Sequence, residues 1–240
     1  MGRSSNPALR DDIFYRSLLT DANNVMTIQG TINKTLILLA LVIVSAALVW
    51  ENYSVVLPLL LPAMIGGLVV AVITIFRQEW SPFTAPIYAV LEGVILGGIS
   101  GFMNVMYPGI VVQAVALTFG VFFLLLIVFS TRLIRVTEKF RLVVIGATGA
   151  IALLYLADIV LGFFGRPVGF IHESGLLGIG FSLFVVVIAS LNLILDFDYI
   201  EKGVEHGAPK YLEWYGAFAL LVTLVWLYLE ILRLLGKLRR

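Results

Sequence analysis

The sequence predicts an all-α polytopic membrane protein with seven transmembrane helices. Hydrophobic residues make up 60% of the 240 residues, and charged residues make up only 13%. A soluble domain of this size needs more polar side chains to cover its surface. The charges also fall mainly in short gaps between long apolar runs. Runs of roughly 20 apolar residues are long enough to cross about 30 Å of hydrocarbon as helices.

Seven apolar runs meet this length requirement. They cover residues 35–50, 55–76, 83–106, 110–131, 141–164, 175–197 and 213–235. The residues before them carry Asp11, Asp12 and Asp21 and have no apolar core, so we do not expect a cleavable signal peptide. The chain is therefore divided into a polar N-terminal segment, 1–34, and one transmembrane domain, 35–240.

The distribution of basic residues favours a cytoplasmic N-terminus. With seven spans, eleven Lys and Arg residues lie on the N-terminal side, and five lie on the other side. Four of those five are in the C-terminal tail, which conflicts with a C-terminus outside the cell. Two explanations stay open: the tail is translocated despite its charge, or one segment is re-entrant and only six helices span the membrane.

Several functional classes lack support in the sequence. A net charge of +1 gives no reason to expect a nucleic-acid partner, and the absence of cysteine excludes disulfides and thiolate metal sites. Both histidines, His172 and His206, lie between the predicted spans, so no span offers a Ser/His pair or a histidine-rich metal site. Phosphate-binding loops and zinc-protease motifs are also missing. We therefore expect neither an enzyme nor a cofactor.

Asp196 is the leading candidate for a functional residue. It ends an apolar run from Ser182 to Leu195, and an ionised acid in hydrocarbon is costly unless a partner or a function accounts for it. Asn192 lies one turn earlier on the same helical face, so the two side chains can present oxygens to a cation or hold a proton. Arg77 ends the second span at the same membrane face, which allows an ion pair with Asp196 that protonation would break.

Four further acids lie within spans or at their edges, and one of them, Asp158, lies deeper in its span than a loop residue. Asp198 points away from Asp196, and a solvated loop acid and a functional acid are both compatible with its position. Glu230 has Arg233 one turn later, which favours a local structural ion pair. Glu92 has no basic residue within one turn, so it must find a partner on another helix or be protonated.

The third span carries Gly93, Gly97 and Gly101 at intervals of four residues, which places them on one helical face. Small residues allow a second helix to approach closely, and close packing drives helix association within a membrane. This pattern predicts a helix-packing surface.

Several local motifs together resemble the Bax inhibitor-1 family. Residues 195–200 (LDFDYI) precede a short polar loop, residues 215–217 (YGA) open an apolar helix, and residues 232–236 (LRLLG) close it. Ser81-Pro82 before a glycine-rich span is also similar, and residues 5–9 (SNPAL) resemble a bacterial branch of the family. The resemblance covers most of the chain and is most specific over residues 192–236.

This resemblance implies a seven-helix fold in which the last helix is central and wrapped by the other six. It also implies a pH-sensitive calcium leak in a bacterial inner membrane, controlled by aspartates on the sixth and seventh helices. Asp196 matches the first aspartate. Thr223 occupies the position of the second, and a hydroxyl can hydrogen-bond to a carboxylate but does not titrate near neutrality.

Three functional hypotheses follow. The leading one is a passive calcium or cation leak with Asp196 as the coordinating or gating acid, and with Arg77, Asn192 and Thr223 beside it. In the second, the protein conducts no ions and regulates another membrane protein, such as a protease, through its glycine face or polar N-terminus. The third is a proton-coupled transporter of small solutes, for which the sequence shows no clear repeats or broken helices.

Overall fold

The described part of the protein is a bundle of seven long helices. A computed structural model describes residues 24–50, 53–134, 136–166 and 168–239. Each of the seven helices is long and apolar enough to cross a membrane, which confirms the predicted fold class. They are α1 (Ile28–Trp50), α2 (Tyr53–Phe76), α3 (Ser81–Met106), α4 (Ile110–Ser130), α5 (Glu138–Phe163), α6 (Leu176–Glu205) and α7 (Leu212–Leu238).

Two helices extend well beyond the predicted apolar runs. Helix α1 begins at Ile28, seven residues before the predicted start, although most of the polar segment 1–34 lies outside the described residues. Thr31 and Thr35 donate their hydroxyl hydrogens to backbone carbonyls one turn earlier, so these polar residues fit a buried helix. Helix α6 continues to Glu205, eight residues past the predicted end. Hydropathy marks the part of a helix that fits hydrocarbon, and the helix itself can be longer.

The helices define two faces of the bundle. The starts of α1, α3, α5 and α7 lie at one face, which we call the N-terminal face, and the ends of these helices lie at the opposite C-terminal face. Ser81 donates a hydrogen bond to the Tyr211 carbonyl at the N-terminal face, with a distance of 3.0 Å. Arg239 donates to the Pro108 carbonyl, also over 3.0 Å, at the C-terminal face.

Helix α7 is the central element. It has the largest buried share of the seven helices, and it packs extensively against α1, α3, α4 and α6. Leu221 and Leu227 are fully buried within this core. Helix α2 packs mainly on α3, and α5 packs mainly on α6. The last helix is therefore central, but four helices rather than six surround it closely, and α2 and α5 form an outer layer.

Glycines on α3 allow close contact with α1. A Cβ atom at Gly93 would lie 2.6 Å from the Val42 carbonyl oxygen, and one at Gly97 would lie 2.5 Å from the Ala46 carbonyl oxygen. Neither position has room for a side chain. Gly101, the third residue of the pattern, is also buried. This face of α3 is thus covered by α1 within the same molecule.

A buried ion pair joins the start of α1 to the start of α7. The Glu213 carboxylate contacts the Lys34 ammonium group and accepts hydrogen bonds from Thr27 through its backbone N–H (2.9 Å) and its hydroxyl (2.8 Å). A Cβ atom at Gly30 would overlap this carboxyl group. Met26, which precedes Thr27, is buried, and its backbone N–H donates to the Ala208 carbonyl over 2.7 Å. The chain before α1 is thereby held against the loop between α6 and α7.

Candidate functional site

The Asp196 carboxyl group lies in the contact between α6 and the central helix α7. Its Oδ2 atom is inaccessible to solvent and has no hydrogen-bond partner among the described residues. Among the described residues, the Thr223 hydroxyl on α7 lies beside this carboxyl group. Asp196 lies nine residues before the end of α6, which continues past the predicted apolar run. A buried acid with an unsatisfied oxygen is costly when ionised, and such acids are typically functional rather than packing residues.

The predicted ion pair between Asp196 and Arg77 is not formed among the described residues. Arg77 is exposed at the N-terminal face, between α2 and a short 3₁₀ turn, Gln78–Trp80. The sequence predicts that both residues lie at the same membrane face. They are separated laterally, however, because α2 packs on α3 in the outer layer and makes no extensive contact with α6.

Asn192 connects α6 to α5. Its amide nitrogen donates to the Thr148 hydroxyl over 2.7 Å and to the Ile188 carbonyl over 2.9 Å. Neither bond involves Asp196, although the two residues are one turn apart. The amide therefore holds α5 against α6 and does not supply the missing partner of the Asp196 oxygen.

Asp198 belongs to an ionic cluster at the N-terminal face. Its Oδ2 atom lies 2.8 Å from both the Arg141 guanidinium and the Lys202 ammonium group. Arg141 also pairs with Glu138 at 3.1 Å. With two basic partners in place, the Asp198 carboxylate is satisfied, and the cluster fastens the start of α5 to α6.

Glu230 is held by two partners near the C-terminal face. It is only 2% exposed, and it pairs with Arg233 at 3.1 Å. The Tyr155 hydroxyl on α5 donates to Glu230 over 2.9 Å and accepts from Arg233 over 2.6 Å. This arrangement is the local ion pair that the sequence spacing favours, with a tyrosine added from another helix.

Glu92 lies where α3 faces α2. Its carboxyl group interacts with Tyr88, one turn earlier on the same helix. A Cβ atom at Gly67 on α2 would lie 4.0 Å from the Glu92 carboxylate. The partner for this acid thus comes from its own helix, a tyrosine rather than a base.

Asp196 and Thr223 are the two predicted site residues that the fold brings together. Among the described residues, no group of three or more His, Asp or Glu side chains is placed to hold a metal ion. The pair therefore offers one carboxyl group and one hydroxyl to a cation or a proton. Sequence reasoning missed two buried charges, Glu213 and Lys237, and the partly buried Lys34, because each lies at the edge of an apolar run, where a charge is ordinary.

The fold defines a class of polytopic α-helical membrane protein. Its C-terminal helix is central and surrounded by other spans, and an acid of α6 lies against this helix. The chain belongs to the Bax inhibitor 1 like family, whose model matches residues 6–240. This match covers essentially the whole chain and confirms the resemblance found in the sequence. A comparison with curated proteins finds no significant match.

Proposed function

We propose that the protein is a passive cation leak, with calcium as the candidate ion, and that Asp196 controls it. The observation that carries this proposal is the buried Asp196 oxygen without a hydrogen-bond partner, located against the central helix. Carboxylate and hydroxyl oxygens are the ligands that Ca²⁺ prefers. A site with one carboxylate and the Thr223 hydroxyl is suited to weak, transient contact with an ion, which conduction requires.

We propose that protonation of Asp196 controls the ion flux. A neutral carboxyl group is compatible with the close contact between α6 and α7, whereas an ionised group favours any arrangement that admits water or a cation. Arg77 takes no part in this proposal, because its exposed position leaves it without an ion pair to Asp196. We also propose, from the sequence, a bacterial inner-membrane location, a cytoplasmic N-terminus and a function without enzymatic chemistry.

Calcium flux into proteoliposomes across a pH series tests the proposal. We expect Asp196→Asn to abolish the pH response, because the amide has the same shape but does not titrate. The matched control is Asp198→Asn, which makes the same change two residues away in an acid held by Arg141 and Lys202. The proposal fails if Asp196→Asn keeps the flux and pH response of the parent, or if the control loses its response equally.

The variant Thr223→Asp tests the same pair by adding a titratable group. It would place a second carboxyl group beside the first, and two adjacent carboxyl groups favour sharing one proton over both being ionised. We expect the pH response of flux to move to higher pH in this variant. The same shift with Asn at position 196 would show that the response does not depend on the pair.

The alternative of a non-conducting interaction protein loses one of its two sequence arguments. The face containing Gly93 and Gly97 is occupied by α1, so it is not available to a second membrane protein in this arrangement. The polar N-terminus also supports this alternative, and its residues lie mainly outside the described ranges.

A further inference from the structure

A cavity of about 560 Å³ opens at the C-terminal face. It lies between the end of α3, the helical turn Gly169–His172 and the last three turns of α7. Three of its lining residues, His172, Arg233 and Lys237, carry basic side chains. The cavity is distant from the proposed gating pair, because Lys237 follows Thr223 by 14 residues, a rise of about 21 Å along α7.

Lys237 is the least expected of these residues, because it is a lysine only 6% exposed. Its ammonium group donates to the Gly178 carbonyl and to the Ser182 hydroxyl, both at 2.8 Å. Both partners are neutral oxygens. Among the described residues, no carboxylate forms an ion pair with this ammonium group. A buried cation held only by neutral oxygens is destabilising, so an anion at this point would stabilise the protein.

Two acids beside the cavity are already engaged. Glu230 pairs with Arg233, and its second partner is a tyrosine hydroxyl. Asp158 pairs with His172 at 2.8 Å and also accepts a hydrogen bond from the Val168 backbone N–H, again at 2.8 Å. Both carboxylates are thus engaged by other groups, and among the described residues neither forms an ion pair with Lys237.

We propose that this cavity binds a phosphate-bearing anion. Lys237 would supply a point charge, and Arg233 and His172 would donate hydrogen bonds, the combination by which proteins hold phosphate oxygens. The remaining lining is mostly apolar and includes Met103, Leu229 and other aliphatic side chains. Such a lining suits an anionic phospholipid, whose headgroup lies at the level where transmembrane helices end. Free phosphate has the same recognition chemistry, and the experiment separates the two sources.

The test uses the full-length protein in neutral detergent, with three probes: phosphatidylglycerol, phosphatidylcholine and inorganic phosphate. Native mass spectrometry measures the bound fraction, and the thermal unfolding midpoint reports stabilisation by each probe. We expect Lys237→Met to weaken binding of phosphatidylglycerol about tenfold, the loss expected for one charge-assisted hydrogen bond. Arg239→Gln is the matched control, because it removes an exposed charge from the same face outside the cavity lining. We expect it to change binding by about twofold or less, as screening predicts.

Each outcome decides the proposal. Stronger binding of phosphatidylglycerol than phosphatidylcholine, lost in Lys237→Met, supports a lipid headgroup. Saturable binding of inorganic phosphate with the same loss supports a soluble anion. If Lys237→Met does not fold, His172→Gln, an exposed substitution, decides by the same comparison. Equal binding by the parent and the cavity variants, or equal loss in Arg239→Gln, overturns the site. None of these outcomes depends on whether the protein conducts ions.

Discussion

Replacement of Lys34 by Met should cost more stability than replacement of Glu213 by Gln, although both changes break the same ion pair. The Glu213 side chain is 0% exposed, whereas that of Lys34 is 16% exposed. Without Lys34, the carboxylate stays buried with only the two hydrogen bonds from Thr27. Loss of one partner from a buried pair costs about 3–5 kcal/mol. Glu213→Gln leaves a neutral amide of the same shape, and Lys34 can turn toward water, so we expect about 1.5–3 kcal/mol.

Equilibrium unfolding in detergent micelles, followed by tryptophan fluorescence, measures these differences. The Lys34 ammonium group lies 5.6 Å from the ring centre of Trp214, so this fluorophore reports directly on the junction. The matched control is Arg132→Gln, which breaks a second pair at the same face. Arg132 is 63% exposed and its partner Glu201 is 23% exposed, so its loss should cost about 1 kcal/mol or less.

Two results would contradict these expected stabilities. If Glu213→Gln costs as much as Lys34→Met, the stability does not depend on which charge is left buried. If Arg132→Gln costs as much as either, burial does not distinguish the two pairs. A double variant, Lys34→Met with Glu213→Gln, should be more stable than Lys34→Met alone, because it leaves no buried charge.

Two further substitutions test the packing of the central helices, each with a matched control in the same unfolding assay. Gly93→Ala should destabilise by about 1–3 kcal/mol because no space exists for a methyl group, whereas Gly146→Ala, with nothing within 4 Å, should be neutral or mildly stabilising. Equal effects would contradict close contact at α3. Tyr155→Phe should cost about 1–3 kcal/mol because it removes a hydrogen bond to buried Glu230, whereas Tyr199→Phe, at a position 42% exposed, should cost less than about 0.5 kcal/mol. Similar costs would show that the hydroxyl bond is not important.

The number and order of the spans could be predicted because hydropathy is a sum over residues. Each apolar run is long enough to cross the hydrocarbon whatever its neighbours are, and the motifs of residues 192–236 are sufficient to suggest the family. The ion pair between Glu230 and Arg233 could also be predicted, because the two residues lie one turn apart on one helix. Local spacing fixes such contacts before any tertiary packing is known.

The lateral contacts could not be predicted in the same way. Arg77 and Asp196 share a membrane face, but α2 packs on α3 and never presents Arg77 to α6. Lys34 meets Glu213 across nearly 180 residues of sequence, and Lys237 meets Gly178 and Ser182 on another helix. Hydropathy indicates how deep a residue lies in the membrane, but it does not indicate which helix lies beside it.

The sequence alone therefore determined the membrane class, the seven spans and the acid at position 196. The tertiary structure decided which groups face that acid, and it gave Asp196 a threonine neighbour and an unpaired oxygen. It also placed a buried lysine, Lys237, at the C-terminal end of α7. The physical reason is that neighbours depend on the order and rotation of packed helices. Those are set by close contacts, such as Gly93 against Val42, which no single helix specifies by itself.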